Sequence, residues 1–241
     1  DTVRALGHVA DLQISLGRRA DAREPLERAL RLNRKLVSRD PTSQATRREL
    51  LGSLVQLGQL DKKDEGGRAL ETYLEALELA RALINEDKGS PLAIGDLASV
   101  VLDVAAVREA RGEIRAALTL YGESLTLRRK LLAMDPENLG RMEDLVLPLL
   151  RIGVLRLLHL GNPNGALKAH EECARIGKRM VKRDPKRTKF LDRLSMAYEG
   201  IGDSKRELRD SAGAMSAYLE CLRLGDQLIK IRCVNVWISM G

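Results

Sequence analysis

His170 and Cys173 stand three residues apart, a spacing that would bring an imidazole and a thiol to one face of a helix. A thiol beside an imidazole base is the minimum for a thiolate nucleophile. His8 and His159 have no Cys, Asp or Glu partner at metal-ligand spacing, so no metal site is read. Lys178, Arg179, Lys182, Arg183, Lys186, Arg187 and Lys189 form a basic run opposed only by Asp184. Such a run suits a phosphate, a nucleic acid or an acidic partner. It also suits a helix C-terminus, where the macrodipole stabilises cations. With one Trp and one Phe in the chain, no aromatic base-stacking platform accompanies it, and nucleic acid is disfavoured. Neither a glycine-rich phosphate loop nor a nucleophile elbow is present.

The elements that would position these groups are legible because the chain repeats. Arg34-Lys-Leu-Val-Ser-Arg-Asp-Pro41 returns as Arg129-Lys-Leu-Leu-Ala-Met-Asp-Pro136 and as Lys178-Arg-Met-Val-Lys-Arg-Asp-Pro185. A worn copy, Arg81-Ala-Leu-Ile-Asn-Glu-Asp-Lys88, lies between the first two. The final Asp falls at 40, 87, 135 and 184, a period of 47 to 49 residues. A unit of that length is one supersecondary element that must stack on copies of itself to bury its apolar face.

Aligned on this period, Ala22, Ala69, Ala117, Ala166 and Ala214 form an all-alanine column. Four residues on stand Leu26, Tyr73, Tyr121, His170 and Tyr218, and three further Ala29, Ala76, Ser124, Cys173 and Cys221. These spacings share one face of a helix. His170 and Cys173 therefore occupy core columns, and the repeat accounts for both without chemistry. This second helix stops at Asp-Pro, because proline lacks an N–H and biases the preceding residue away from helix. The first helices are expected at 3–16, 44–57, 92–110, 142–160 and 190–208. Gly17, Gly66-Gly67, Gly112 and Gly161 follow four of them as turn residues. In the fifth unit, Arg206–Asp210 either carries the turn with polar residues or lengthens the helix. Ala10, Gly58, Ala105, Gly153 and Gly202 recur inside the first helices, where the two helices of a hairpin should touch.

With 44% apolar residues and only 2% aromatic, the core must be built from Leu, Ala, Val and Ile. The reading is an all-α, right-handed α-solenoid of five antiparallel helical hairpins spanning 1–230, with units at 1–41, 42–88, 89–136, 137–185 and 186–230. Residues 231–241 leave the repeat. Ile231, Val234, Trp237 and Ile238 would cap the array as a short helix, or the segment is an unrelated tail. Three cysteines cannot all pair within one chain, which points to a reducing, cytoplasmic compartment. No run of 18 apolar residues exists, so no membrane span is expected. Asp1, in place of Met, reads as the start of a segment cut from a longer protein.

The columns resemble the tetratricopeptide repeat: a small residue in the first helix, a turn glycine, then Ala, an aromatic, a small residue and a final Pro. Leu6, Ala10, Gly17, Ala22, Leu26, Ala29 and Pro41 follow that order, as do Gly153, Gly161, Ala166, His170, Cys173 and Pro185. The usual period is about 34 residues. The longer unit here is similar to bacterial arrays attached to signalling kinases, switch ATPases and caspase-like proteases. The resemblance implies a non-catalytic scaffold without cofactor, holding a protein or peptide partner against its first helices. Arg4, Asp11, Gln59, Lys62, Glu109, Glu199, Asp203 and Arg206 are the groove-facing candidates on that basis. The Lys and Asn clamp that some members use for a peptide carboxylate is absent from the matching positions. The alternative is self-association, through the ends of the array or through the fourth unit. The first helix of that unit is apolar nearly all round (Leu145, Val146, Leu147, Leu149, Leu150, Ile152, Val154, Leu155), as expected of a helix buried on several sides.

Overall fold

A computed structural model describes the backbone of residues 2–62 and 68–240 and the side chains up to residue 231. Among these residues the chain is ten helices without a strand. They are α1 (Thr2–Ser15), α2 (Arg23–Arg39), α3 (Gln44–Asp61), α4 (Arg68–Glu86), α5 (Pro91–Ala110), α6 (Ile114–Met134), α7 (Leu139–Leu158), α8 (Pro163–Arg183), α9 (Thr188–Glu207) and α10 (Ser211–Met240). The expected first helices correspond to α1, α3, α5, α7 and α9. Of these, α3 runs to Asp61, four residues beyond its expected end. Gly66 and Gly67 lie outside the described residues.

The chain divides into two compact units, Asp1–Ala117 and Leu118–Gly241. In the first, α1 to α4 each pack on the next, and α4 packs on α5. In the second, α7 to α10 pack consecutively, and α7 also meets α9. Short connections dictate this neighbour order.

The loop between units is one device used four times. The carbonyls of Asp40, Asp87, Asp135 and Asp184 accept from the N–H three residues on, at Ser43, Ser90, Asn138 and Arg187, with N···O of 3.2–3.4 Å. That third residue is also the N-cap of the next helix. Ser43, Ser90 and Asn138 accept with their side chains from Thr46, Ala93 and Arg141 N–H, satisfying amides that have no partner inside the helix. Arg187 has no side chain able to do so, and α9 starts uncapped. Asp40 Oδ1 further accepts from Thr42 Oγ1 and from the Thr42 and Ser43 amides. The Thr42 bonds hold its carboxyl below the usual carboxylate range. The recurrent Asp thus ends one helix and sets the start of the next.

Inside a hairpin the turn needs a left-handed residue. Gly17, Gly112 and Gly161 supply it, with φ of 77°, 76° and 56°. In the fifth unit Arg209 takes that role at φ 62°, within the polar stretch expected to carry the turn. The hairpin helices touch at the small column. A Cβ on Gly58 would fall 2.7 Å from the Tyr73 ring, and a Cβ on Gly153 or Gly202 would overlap His170 or Tyr218. Leu54, Tyr73, Ile94, Leu145, Leu155 and Met180 are among the fully buried side chains. Most of the apolar α7 is buried as expected, but Leu147 and Leu158 are exposed.

The last helix differs from expectation. α10 runs unbroken through residues 231–240, so this stretch extends the second helix of its unit and is not a separate short helix. The side chains of Val234, Trp237 and Ile238 lie outside those described.

Candidate functional site

Arg4, Asp11 and Gln59 are brought together. They line an open cleft of about 960 Å³ bounded by α1, α2 and α3. The volume suits a partner's side chains or a short segment of chain. Leu32, Leu36 and Val55 give the cleft an apolar strip, and Gly7 and Gly52 keep its walls low. Arg4, Lys35 and Arg39 face it against Asp11 and Glu49, and Gln56 and Gln59 add amide donors and acceptors. Below it, Asn33 is fully buried in α2 and its Nδ2 donates to the Glu49 carbonyl and to Ser53 Oγ, both at 2.9 Å. This pair of bonds ties α2 to α3 and fixes the cleft floor.

The other groove candidates lie elsewhere. Lys62, itself exposed, is 3.9 Å from the half-buried Asp103. Glu109 is half-buried near the end of α5. Glu199, Asp203 and Arg206 share a face of α9 in the second unit. There Asp203 accepts from Tyr218 Oη at 2.8 Å and pairs with Arg206 at 3.3 Å. That cluster joins α9 to α10. Lys35 and Arg39 of α2 and Gln56 of α3 were not picked out from the sequence, because which side chains enter a cleft depends on where the packing opens.

The basic run is less bare than its sequence neighbourhood indicates. Glu137 pairs with Arg179 and Arg183, and Glu143 pairs with Arg187 and Lys189. Both glutamates come from the start of the same repeat, more than 40 residues earlier. The expectation that only Asp184 opposes the run is therefore corrected. Lys178 lies over the Tyr198 ring at 5.4 Å, and Arg187 over Phe190 at 4.6 Å. Lys182 and Lys186 are exposed.

His170 and Cys173 are each 1% exposed. Burial pushes the Cys173 thiol up to about 12 and holds His170 below its ordinary value. Each shift favours the neutral form, the opposite of a thiolate–imidazolium pair. His170 Nδ1 lies 3.3 Å from Ser204 Oγ, whose hydroxyl donates to the Gly200 carbonyl. The imidazole thus packs α8 onto α9. Among the described residues no cluster of His, Cys, Asp and Glu has the makings of a metal site, and no helix is long and apolar enough to cross a membrane.

Comparison with known proteins agrees with this architecture. The tetratricopeptide repeat family model matches residues 2–42, the first hairpin. No curated protein matches the sequence. The fold is similar to that of a Rap protein solved with competence and sporulation factor, at 13% identity and a TM-score of 0.57, over 96% of this chain and 66% of that one. It is also similar to a kinesin light chain of Podosopora anserina with nearly identical TPR-like repeats, at 15% identity and TM-score 0.52, over 97% and 96%. BtubC from P. vanneervenii aligns at 16% identity and TM-score 0.51, over 90% and 91%. The chain is a tetratricopeptide-like array of helical hairpins.

Proposed function

We propose that the chain is a non-catalytic scaffold that holds a segment of a partner protein in the cleft between α1, α2 and α3. The cleft itself carries the reading: it is open, about 960 Å³ in volume, and walled by ordered helices. Pre-ordered walls lower the entropic cost of binding. The lining specifies the partner's chemistry. Leu32, Leu36 and Val55 take an apolar anchor, Lys35 and Arg39 take an acidic group beside it, and Gln56 and Gln59 bond exposed backbone. The Rap protein of similar fold was solved with a bound factor, a precedent for this architecture as a holder. A role inside a larger regulatory protein fits the same reading.

Selection of a random peptide library against the chain tests it. Enriched peptides should share an apolar residue next to Asp or Glu. Val55→Glu and Lys35→Glu should each weaken the best of them at least tenfold, as expected when an apolar contact is lost or a charge reversed, with the helical signal unchanged. Failure to enrich, or binding indifferent to both substitutions, would overturn the reading.

A further inference from the structure

We infer that the partner segment carries an acidic and a basic residue about three to five positions apart, flanking its apolar anchor, with the base seated in a side pocket at Asp11. The inference rests on the cleft reading above. The cleft is charged differently at its two ends. Asn33 of α2 meets the Glu49 carbonyl and Ser53 of α3, so the part of α2 beyond Asn33 runs toward the start of α3. Successive helices are antiparallel, which makes α1 and α3 run in the same direction. A Cβ on Gly7 would lie 3.8 Å from the Gln56 side chain, and this sets their register. One end of the cleft therefore gathers Arg4, Lys35 and Arg39 around Glu49. Asp11 and Gln59 stand at the other end, with His8 and Gln56 between.

A second cavity, of about 130 Å³, shares Asp11, Gln56 and Gln59 with the cleft. It has room for a single side chain. Ile14, Leu26 and Leu60 make its walls apolar. Arg19 also lines it, but that guanidinium is engaged. Its Nη2 donates to the Gln59 and Leu60 carbonyls at 3.3 and 3.5 Å, where the C-terminal end of α3 favours a cation. What fits is a side chain with an apolar stem and a cationic head, the stem packed on the aliphatic walls and the charge held at Asp11. A carboxylate there would face Asp11, and a short polar side chain would leave the walls unfilled.

The spacing follows from the helices. Arg4 and Asp11 are seven residues apart on α1, about 10 Å along its axis. Glu49, level with Lys35, and Gln59, level with Asp11, are ten residues apart on α3, about 15 Å. An extended chain covers about 10–15 Å in about three to five residues. The charges are open to a partner. Arg34, beside Lys35, is taken up by Glu75 at 2.7 Å. Arg4, Asp11, Lys35 and Arg39 are exposed and pair with nothing among the described residues. A segment with its charges in the opposite order would set its base against three cations and its acid against Asp11, so the cleft rejects it.

Parallel selections from one random peptide library, against the wild-type chain and against Asp11→Lys, decide it. Wild type should enrich peptides with an acid and a Lys or Arg about three to five residues apart around an apolar residue. Asp11→Lys, with an unchanged far-ultraviolet spectrum, should keep the acid and the apolar residue and exchange the base for Asp or Glu. In the best wild-type peptide, replacing the base by Glu should weaken binding to the wild-type chain about tenfold, and Asp11→Lys should restore it. Replacing the base by diaminopropionate, the same charge on a shorter stem, should also cost about tenfold, because the apolar walls lose their contact. Three results overturn this inference and leave the cleft reading standing: wild-type peptides that share acid and apolar residue without a base at fixed distance, an Asp11→Lys selection that does not exchange base for acid, or indifference to the shorter stem. A wild-type selection that enriches nothing overturns both.

Discussion

Gly153→Ala probes the packing that sets the spacing of a hairpin. Gly153 of α7 lies against His170 of α8, and a Cβ there would overlap the imidazole. The ring has nowhere to go: a Cβ on Gly200 of α9 would lie 2.6 Å from it on another side, and the side chain is 1% exposed. Two terms oppose each other. Alanine in a helix interior is favoured over glycine by about 1 kcal/mol. Overpacking a tight core costs about 1–3 kcal/mol, and a ring held between two backbones falls at the upper end, about 3. The net is about 2 kcal/mol of destabilisation. At about 2–4 °C per kcal/mol for a chain of this length, Tm should fall by about 4–8 °C. Gly122→Ala in α6 is the control. Its Cβ would meet nothing within 4 Å, so the propensity term acts alone and Tm should rise by about 2–4 °C. Thermal melts followed by circular dichroism measure both. The double variant Gly153→Ala/His170→Ala should lose less stability than the two single losses summed, because removing the ring removes the overlap. The reasoning is refuted if Gly153→Ala raises Tm as Gly122→Ala does, or if the double variant is additive within about 0.5 kcal/mol.

Arg209→Gly should raise Tm by about 2–4 °C, since a left-handed residue with a Cβ costs about 1 kcal/mol that glycine avoids; no rise, or a fall, would contradict the turn assignment. Arg23→Ala should cost about 2 kcal/mol in chemical denaturation. It strands the Asp61 carboxylate, whose side chain is only 3% exposed and pairs with Arg23, and Asp61→Leu in the same chain should recover part of the loss. Because burial depresses His170 below its ordinary 6.5, the unfolded chain takes up a proton before the folded one does. Its contribution is whole above pH 6.5 and fades as pH falls below that value. His170→Leu should flatten the decline in stability between about pH 7 and pH 5.5, and an unchanged slope would exclude this residue as its source.

Much of the fold is legible in the columns. The all-alanine position, the small residues at 10, 58, 105, 153 and 202, and the turn glycines each state a local steric demand, and such demands depend only on residue type and spacing. The same logic assigns His170 and Cys173 to the core from the repeat alone. The pairings across helices were less accessible. Glu137 and Glu143 pair with four of the seven cations of the basic run from more than 40 residues upstream, through ion pairs that a linear scan of the run does not reveal. The Asp of Asp-Pro looked like a stop signal alone. Its carbonyl bond to the following N-cap gives it a second task, visible only when both loop ends are in place.

The candidate site divides in the same way. Arg4, Asp11 and Gln59 were reachable by counting from the small column, because helical periodicity assigns a face. Lys35, Arg39 and Gln56 were not, since whether a cleft stands open depends on how α2 seats between α1 and α3. Sequence alone determined that this protein is a stack of helical hairpins, because a 47–49-residue period with helical columns has few other ways to bury its apolar faces. Tertiary structure alone decided where burial gives way to an open cleft, between α1, α2 and α3. Exposure is a property of what lies next to a side chain, and residue type does not record it.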